Sequence, residues 1–308
     1  MKPCKSAAFA AVSVLAVTLT ATSCSGDSGT AESEPSSSTA TLGDRPRLPT
    51  YKVATDVSFD SPTLTRAKKA GKLVIGVKSD QPFLGYQDET GTRSGFDIEV
   101  AKMVAADLGF AARSIEFKTF PTSRREAAIA SGDVDLYVGT YTINEERKKK
   151  VGFAGPYYMA GADLLVRKND RTISGPYSLQ NKTVCSVTGS TALLEMQKKE
   201  YRTTTVSTET YSECVAKLLA GEVDAVTTDD AILKGYAAQT PDKLKVVGAP
   251  FTEEPYGIGM DKDDKALRDA VNDAIEEHDA NGDQEKAYDA TLGLSGSLYE
   301  GAPLVERY

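Results

Sequence analysis

The chain has 308 residues, 40% hydrophobic and 26% charged, with 36 Lys plus Arg against 44 Asp plus Glu and a formal net charge of −8. This is the composition of a globular protein with room for one large or two medium domains, and it excludes a chain that repeatedly spans a membrane. The acidic balance gives no footing to nucleic acid as a partner, and a bound anion would have to be held by local cations and backbone amides against the overall field.

At the start, Lys2 and Lys5 precede an apolar run from Ala7 to Leu19, and small residues lead on to Ala21-Thr22-Ser23-Cys24. This order reads as a secretory signal over 1–23 with a lipoprotein cleavage site, so that the mature chain begins at Cys24, the expected site of lipidation. The run is shorter than the roughly 20 residues of a spanning helix, which disfavours a retained anchor; Ala21 departs from the Leu usual at that point of the cleavage pattern. Without Lys2 and Lys5, 34 basic residues face 44 acidic ones, a formal charge of −10.

From Ser25 to about Pro49 the chain is rich in Ser, Thr, Gly and Pro, with too few large apolar side chains to offset the entropy of ordering. Residues 24–54 are expected to form a flexible tether to the membrane; an incidental disordered terminus has the same physical basis. Cys4 leaves with the signal and Cys24 takes the lipid, which leaves Cys185 and Cys214. An even remainder in an exported chain reads as a disulfide, closing a loop of roughly 30 residues and adding about 3 kcal/mol. Two buried free thiols are the alternative.

From Leu73 onward, short β-branched runs alternate with helical patterns. Strands are predicted at Leu73 to Val77, Ile115 to Phe117 and Val134 to Val138, and helices at Phe96 to Leu108 and Ser123 to Ala130, the second ended by Ser131-Gly132. A second series follows Ala162 to Arg167: strand Thr183 to Cys185, helix Ala192 to Lys199, strand Thr204 to Val206, helix Glu213 to Leu219, strands Ala225 to Thr227 and Lys245 to Val247. Such alternation implies an α/β protein with mostly parallel sheets flanked by helices. The two series share a motif, Gly132-Asp133-Val134-Asp135-Leu136 and Gly221-Glu222-Val223-Asp224-Ala225, each following a helix and leading into a strand. Two lobes of related design are the economical reading. Helices Lys265 to Asp279 and Gln284 to Leu292 are expected to return to the first lobe, with crossings near Ala162 to Arg167 and Tyr256 to Met260. Lobe 1 is then 55–161 plus 257–308 and lobe 2 is 162–256, joined by a two-strand hinge.

Gly95-Phe96-Asp97-Ile98-Glu99-Val100, with Val104-Ala105 and Leu108 behind it, resembles the signature of the family 3 extracellular solute-binding proteins, the polar amino-acid receptors of ABC importers. Gly71 to Val77, Thr142 to Arg147 with Phe153 and Tyr157-Tyr158, Gly189-Ser190-Thr191, and Asp224 to Asp229 carry the same resemblance, from about Thr55 to Gly293. Lys78 to Pro82, Cys185 to Thr191, Thr210 to Cys214 and Asp224 to Asp229 resemble in particular the glutamate-binding lipoproteins of Gram-positive importers. The resemblance implies the type II periplasmic-binding-protein fold, a monomer without cofactor or metal, membrane attachment through the lipid, and delivery of an acidic amino acid, glutamate or aspartate, to an ABC permease by hinge closure.

It also implies residue roles. Arg147 stands where the family places its arginine for the α-carboxylate, a planar fork able to make two charge-assisted bonds; Thr142 and the backbone at Thr140 would add polar contacts. Asp229 stands where the α-ammonium is paired, and Ser190 with Thr191 opens a helix whose free N–H groups attract a carboxylate; simple capping is the bland alternative. Lys78 and Arg125 would face the side-chain carboxylate and disfavour glutamine, whose amide leaves buried charge unpaired. Arg124 or Arg125 on a surface face is the competing reading, as is a solvated Arg147 beside the wet run Lys148 to Lys150. Asp80, where receptors of other amino acids usually carry an aromatic, either holds Lys78 or serves as a cap or turn residue, and Asp230 is expected as a helix N-cap.

Two other classes stay open. An enzyme of dehydratase type shares such folds, but the single histidine, His278, lies in a charged helix with Glu276, Glu277 and Asp279 and is expected to be solvated. A sensor subunit acting through another membrane protein is the second. Asp261, Asp263 and Asp264 lack the Gly and distal Glu of a calcium loop, so no metal is expected.

Overall fold

The computed structural model describes residues 46–307; the expected signal, Cys24 and the tether up to residue 45 lie outside the described residues. Ser61 opens α1 (Pro62–Ala70): its Oγ accepts from Leu64 N–H at 3.0 Å, and proline at the first helical position forfeits no bond. Next come β1 (Leu73–Val77), three short strands β2 (Asp80–Gln81), β3 (Gly85–Gln87) and β4 (Arg93–Ser94), then α2 (Phe96–Asp107) and β5 (Ile115–Thr119). The helix predicted from Ser123 begins as a 3-10 turn, Thr122–Arg124, before α3 (Arg125–Ala130); β6 (Leu136–Tyr137), the one-turn α4 (Glu145–Lys148) and β7 (Gly152–Ala160) complete this stretch.

The second series is β8 (Ala162–Arg167), β9 (Thr183–Val187), α5 (Thr191–Met196), β10 (Thr204–Thr208), α6 (Tyr211–Ala220), β11 (Ala225–Asp229), α7 (Asp230–Gln239) and β12 (Leu244–Val246). After it, β13 (Glu254–Met260), α8 (Lys265–Ala280) and α9 (Asp283–Asp289) close the chain. Two five-stranded sheets result, ordered β5-β1-β6-β13-β7 and β10-β9-β11-β8-β12. The alternation of strand and helix accounts for the parallel half of each: β1 pairs in parallel with β5 and β6, and β9 with β10 and β11. The other half of each sheet is antiparallel, because there the strands that enter or leave the neighbouring sheet are inserted. The sheets are therefore mixed rather than mostly parallel.

The shared motif has the same job in both. Asp135 N–H donates to Val74 O at 2.8 Å while its carboxylate accepts from Val74 N–H at 2.9 Å. Asp224 repeats this with Thr183, N–H to O at 2.8 Å and N–H to carboxylate at 2.8 Å. Each aspartate thus fixes the register of the last parallel strand against the first, and Gly132 and Gly221 end the preceding helices at φ 74° and 78°.

The crossings lie a few residues earlier than expected. Ala162–Arg167 is a strand inside the second sheet, and the chain passes over at Gly161; the return passes over just before Glu254, since β13 already pairs with β7 at Glu254 and Ala160. The two passages touch: Ala162 N–H donates to Thr252 Oγ1 at 2.9 Å, and Phe251 N–H donates to Ala162 O at 2.9 Å. Within β7, Gly155-Pro156 hides a nine-residue strand from any reading of periodicity, since proline breaks the ladder pattern.

Both termini of the described chain pack on the first sheet's helices. Tyr51, counted with the tether by composition, donates its hydroxyl to Glu99 Oε2 at 3.0 Å, and Ala54 N–H reaches Ala106 O at 2.9 Å. At the other end Glu306 N–H donates to Gly155 O, and Arg307 pairs with Asp273 and Glu276 at 2.6 Å. Asp264 caps α8 through Leu267 N–H and accepts from Ser61 Oγ, joining α8 to the start of α1. His278 is not solvated: it is 6% exposed, set between Asp107 and Asp283 at 3.2 Å each and edge-on to Tyr51. Burial alone would lower its pKa, but hydrogen bonding and charge from Asp107, then Asp283, raise it overall. The interior face of α8 thus explains a histidine that its charged neighbours in sequence place at the surface.

Cys185 and Cys214 form a disulfide with a sequence separation of 29, tying α6 to β9. A loop of that size is worth about 3 to 4 kcal/mol on chain-entropy grounds. Reduction, or replacement of both cysteines by serine, is expected to lower stability by that order, read as a shift of the urea midpoint with the far-ultraviolet spectrum retained in the absence of denaturant.

Candidate functional site

Between the two sheets lies a small, nearly filled cavity lined by Thr122, Arg125, Thr140, Thr142, Arg147, Ser190, Thr191, Tyr211, Asp229 and Ile232. Seven of the eight residues singled out as ligand contacts by the sequence are in this lining. The eighth, Lys78, lies just behind it, its Nζ 3.0 Å from Thr122 Oγ1 and its side chain buried.

Local structure explains how each group arrives. Asn144 caps α4 by accepting from Arg147 N–H at 2.9 Å, which turns the Arg147 side chain inward, so Arg147 is buried while Lys149 and Lys150 face solvent. Its guanidinium donates to Thr142 O at 2.7 Å and, across the cleft, to Gly189 O at 3.2 Å. Arg125 opens α3 and is only 2% exposed, donating to Thr122 O at 3.1 Å and Thr140 O at 3.3 Å; Arg124 is the one on the surface. Both guanidiniums lie over the ring of Tyr141, at 4.1 Å for Arg125 and 5.2 Å for Arg147 from the centroid. The face of an aromatic ring attracts cations, so one tyrosine eases the burial of two like charges.

Thr140 stands at φ 42°, a left-handed backbone that a β-branched residue adopts only when its surroundings impose it. Here Asp97 imposes it: one carboxylate oxygen accepts from Thr140 N–H at 3.0 Å, the other from the Tyr157 hydroxyl at 2.7 Å. Burial raises the Asp97 carboxyl to about 6 against these two hydrogen bonds. The aspartate of the Gly95-Phe96-Asp97 segment therefore shapes the cavity wall from behind.

On the opposite wall Ser190 caps α5 and Thr191 donates its hydroxyl to Glu254 Oε2 at 2.8 Å. Gly189, at φ 83°, lies so near Ser123 that a Cβ there would stand 3.0 Å from its Cα. Asp229 ends β11, buried, with Oδ2 accepting from Tyr256 OH at 2.6 Å. Asp230, expected as the N-cap, is instead the first residue of α7; its carboxylate is taken by Gly161 N–H and Lys234, because the residue at the cap position is Asp229 itself.

Charge is thus sorted by wall. Burial, then the like charge of Arg125, pulls Arg147 down to about 10, still cationic at neutral pH. Lys78 falls to about 8, mainly through burial, with Asp80 opposing and Arg125 adding to the fall. Opposite, burial and then Glu254 push Asp229 up to about 8. One wall offers fixed cations and hydroxyls for anionic groups; the other offers a carboxylate in need of a cation. A larger depression near Arg167 and Asp242 is an open groove on the second lobe, where the Arg167 guanidinium is already bonded to Leu218 O and Val223 O.

Residues 73–293 match the bacterial extracellular solute-binding proteins, family 3. The chain belongs to this family. It is 39% identical over 258 residues to the glutamate-binding protein GluB of Corynebacterium efficiens, covering 78% of this chain and 85% of that one. It is 35% identical over 227 residues to the ABC transporter glutamine-binding protein GlnH of Bacillus subtilis, covering 73% and 83%. Among solved structures, an ancestral arginine-binding protein bound to arginine superposes with a TM-score of 0.68 at 36% identity, over 72% of this chain and 99% of that one. These relatives are binding proteins rather than enzymes, and amino acids are what their names record. Among the described residues no helix is long and apolar enough to cross a membrane.

Sequence reasoning missed Tyr141, Tyr211, Ile232, Glu254 and the Thr122 hydroxyl in this family 3 protein. Tyr211 lies inside a segment that carried the resemblance, but Tyr141 and Glu254 had no signal of their own. Their roles come from folding Arg125 and Thr191, remote in sequence, against them.

Asp229 gives a test independent of any ligand. A carboxyl whose folded pKa is raised favours the fold while protonated, below about pH 4, and that contribution is lost as pH rises through about 8. Asp229→Asn, which keeps the shape without the charge, is therefore expected to melt above the parent protein at pH 8 and to lose that advantage near pH 4. A melting difference that does not vary with pH would overturn the assignment of the raised carboxyl to Asp229.

Proposed function

We propose that this protein captures an acidic amino acid, L-glutamate ahead of L-aspartate, between its lobes and presents the closed complex to the permease of an ABC importer. The observation that carries the reading is the meeting of Arg125 and Arg147 at one cavity, with Lys78 behind Thr122 and Asp229 on the far wall. A zwitterion with a second carboxylate sets its two anionic groups among these three cations and its ammonium beside Asp229. In this reading Arg147, with Thr142 and Thr140, holds the α-carboxylate, helped by Ser190, Thr191 and the amides at the start of α5. Asp229 pairs with the α-ammonium, and Arg125 with Lys78 receives the side-chain carboxylate.

Closure follows from contacts divided between the two lobes, which join at the passages by Gly161 and just before Glu254: a ligand that gains bonds from both walls binds the closed form better and draws the equilibrium towards it. Export through the segment 1–23, a lipid on Cys24 and the tether to residue 54 would keep a monomer beside its permease at the outer face of the membrane. The reading requires no cofactor and no metal.

Calorimetry of the soluble part, stripped of co-purified solute by unfolding and refolding, against glutamate, aspartate, glutamine, arginine and cystine tests the substrate. Glutamate is expected to bind most tightly, at one per chain and without turnover. Arg147→Ala should abolish binding. Arg125→Ala should weaken glutamate by about 30-fold or more, the usual loss for one partner of a buried charge pair, while glutamine changes little. Equal loss for both ligands would remove Arg125 from the specificity site; tightest binding of glutamine or arginine would overturn the acidic assignment.

A further inference from the structure

Asp80 makes its hydrogen bonds neither to Lys78 nor to any residue of its own turn. It sits at the start of β2, in the three-stranded sheet that belongs with α2 and the first lobe. Its Oδ2 accepts from the backbone N–H of Tyr211 at 2.8 Å and of Ser212 at 3.4 Å, the first two amides of α6 in the second lobe. The Tyr236 hydroxyl, from α7 of the same lobe, donates to Asp80 O and lies 3.4 Å from Asp80 Oδ2. The helix's own cap, Thr210, takes the next amide, Glu213 N–H, at 3.3 Å, so the two caps divide the orphan donors between them.

The surfaces around this contact are cut for close approach. A Cβ on Gly235, in the middle of α7, would stand 2.5 Å from Pro82 O, two residues beyond Asp80. Glycine inside a ten-residue helix weakens it, and here it allows the first lobe's loop to lie against α7. The disulfide from Cys214 to Cys185 anchors α6 to β9, so the amides that Asp80 meets are fixed within the second lobe. None of these groups lines the proposed ligand cavity except Tyr211.

We propose that Asp80 is a positioning residue for closure: a carboxylate on one lobe that completes the N-terminus of a helix on the other, and so holds the cleft shut without touching the solute. When the lobes part, the Tyr211 and Ser212 amides and the carboxylate return to water; when they meet, an anion sits on the positive end of α6. The contact sets the closed-to-open ratio, and thereby the residence time of whatever the cleft holds. It rests on the proposed closure about the cavity, but not on the identity of the solute.

The test compares the parent protein with Asp80→Ala, Asp80→Asn and Tyr236→Phe by stopped-flow release of L-glutamate, small-angle scattering without ligand, and amide exchange at Tyr211 and Ser212. Loss of a helix cap is worth about a five- to tenfold shift of the equilibrium. Asp80→Ala is expected to release glutamate about five- to tenfold faster with an unchanged association rate, and to lose protection at those two amides. Asp80→Asn, which keeps an acceptor, should recover part of the difference, and Tyr236→Phe should move the same way as Asp80→Ala but less. Should Asp80→Ala fail to fold, Tyr236→Phe carries the comparison. Release, scattering and exchange all equal to the parent would overturn the proposal. If the parent binds no glutamate, the substrate reading falls, and the ligand-free scattering and exchange decide the role of Asp80 alone: greater opening in Asp80→Ala supports it, and identical curves reject it.

Discussion

Two guanidiniums buried against a single tyrosine ring are the constraint around which this molecule is arranged. Arg125 and Arg147 repel one another in a medium that screens poorly, and the carboxylate nearest to them among the ion pairs of the described residues is Glu126, 3.7 Å from Arg147 Nε. What surrounds them is a set of backbone carbonyls, from Thr122, Thr140, Thr142 and Gly189, and the face of Tyr141. Dipoles lower the cost of such charges without neutralising them. The strained backbone at Thr140 belongs to the same arrangement, since it aims one of those carbonyls and is itself held by Asp97. On the other lobe the sign is reversed: Asp229 has a neighbour, Glu254, that makes its ionisation harder. Each wall carries an imbalance of opposite sign, and a small ligand with both kinds of charge relieves the two together.

The scaffold that presents these walls is one design used twice. In both lobes a central strand is flanked in parallel by the next two strands, an aspartate stitches the last of these to the central one, and a glycine ends the helix before it. The site groups come from corresponding places: the chain just after β6 gives Thr140 and Thr142, and the end of β11 gives Asp229. These are the carboxyl ends of parallel strands, where helices begin and backbone groups are unpaired, and where open α/β sheets generally receive ligands. Duplication of the framework with divergence of the side chains produces a cleft whose two faces differ in charge while sharing a geometry.

Much of this was legible before any coordinates. Strands such as Leu73–Val77 and helices such as Phe96–Asp107 follow from local periodicity, and the repeated Gly-x-Val-Asp segments disclose the two lobes because the same backbone task recruits the same residues. The residues of the cavity were legible chiefly through resemblance, since nothing in the spacing of Arg125, Arg147 and Asp229 brings them together. What the sequence concealed has physical causes. The strand β7 was masked by its Gly-Pro, and α7 was announced only by the expected cap at Asp230, because its buried Gly235 answers to the opposite lobe instead of to helix propensity. His278 looked solvated because its neighbours along the chain are acidic, whereas its neighbours in space include Tyr51, and the acidic groups that hold it, Asp107 and Asp283, come from two other helices. Asp80 offered only a charge out of place, and its meaning depends on a contact 131 residues away.

The way the chain enters and leaves bears on how the two halves can travel. Tyr51 and Ala54 fasten the incoming segment to α2, and Glu306 and Arg307 fasten the outgoing one to β7 and α8, so both ends ride on the same body. The other body is an insertion, whose covalent links to the first are the paired passages at Gly161 and Thr252. A pull on either described end, such as that of a protein fused to it, therefore falls on the body that carries the first sheet and reaches the inserted one only through those passages.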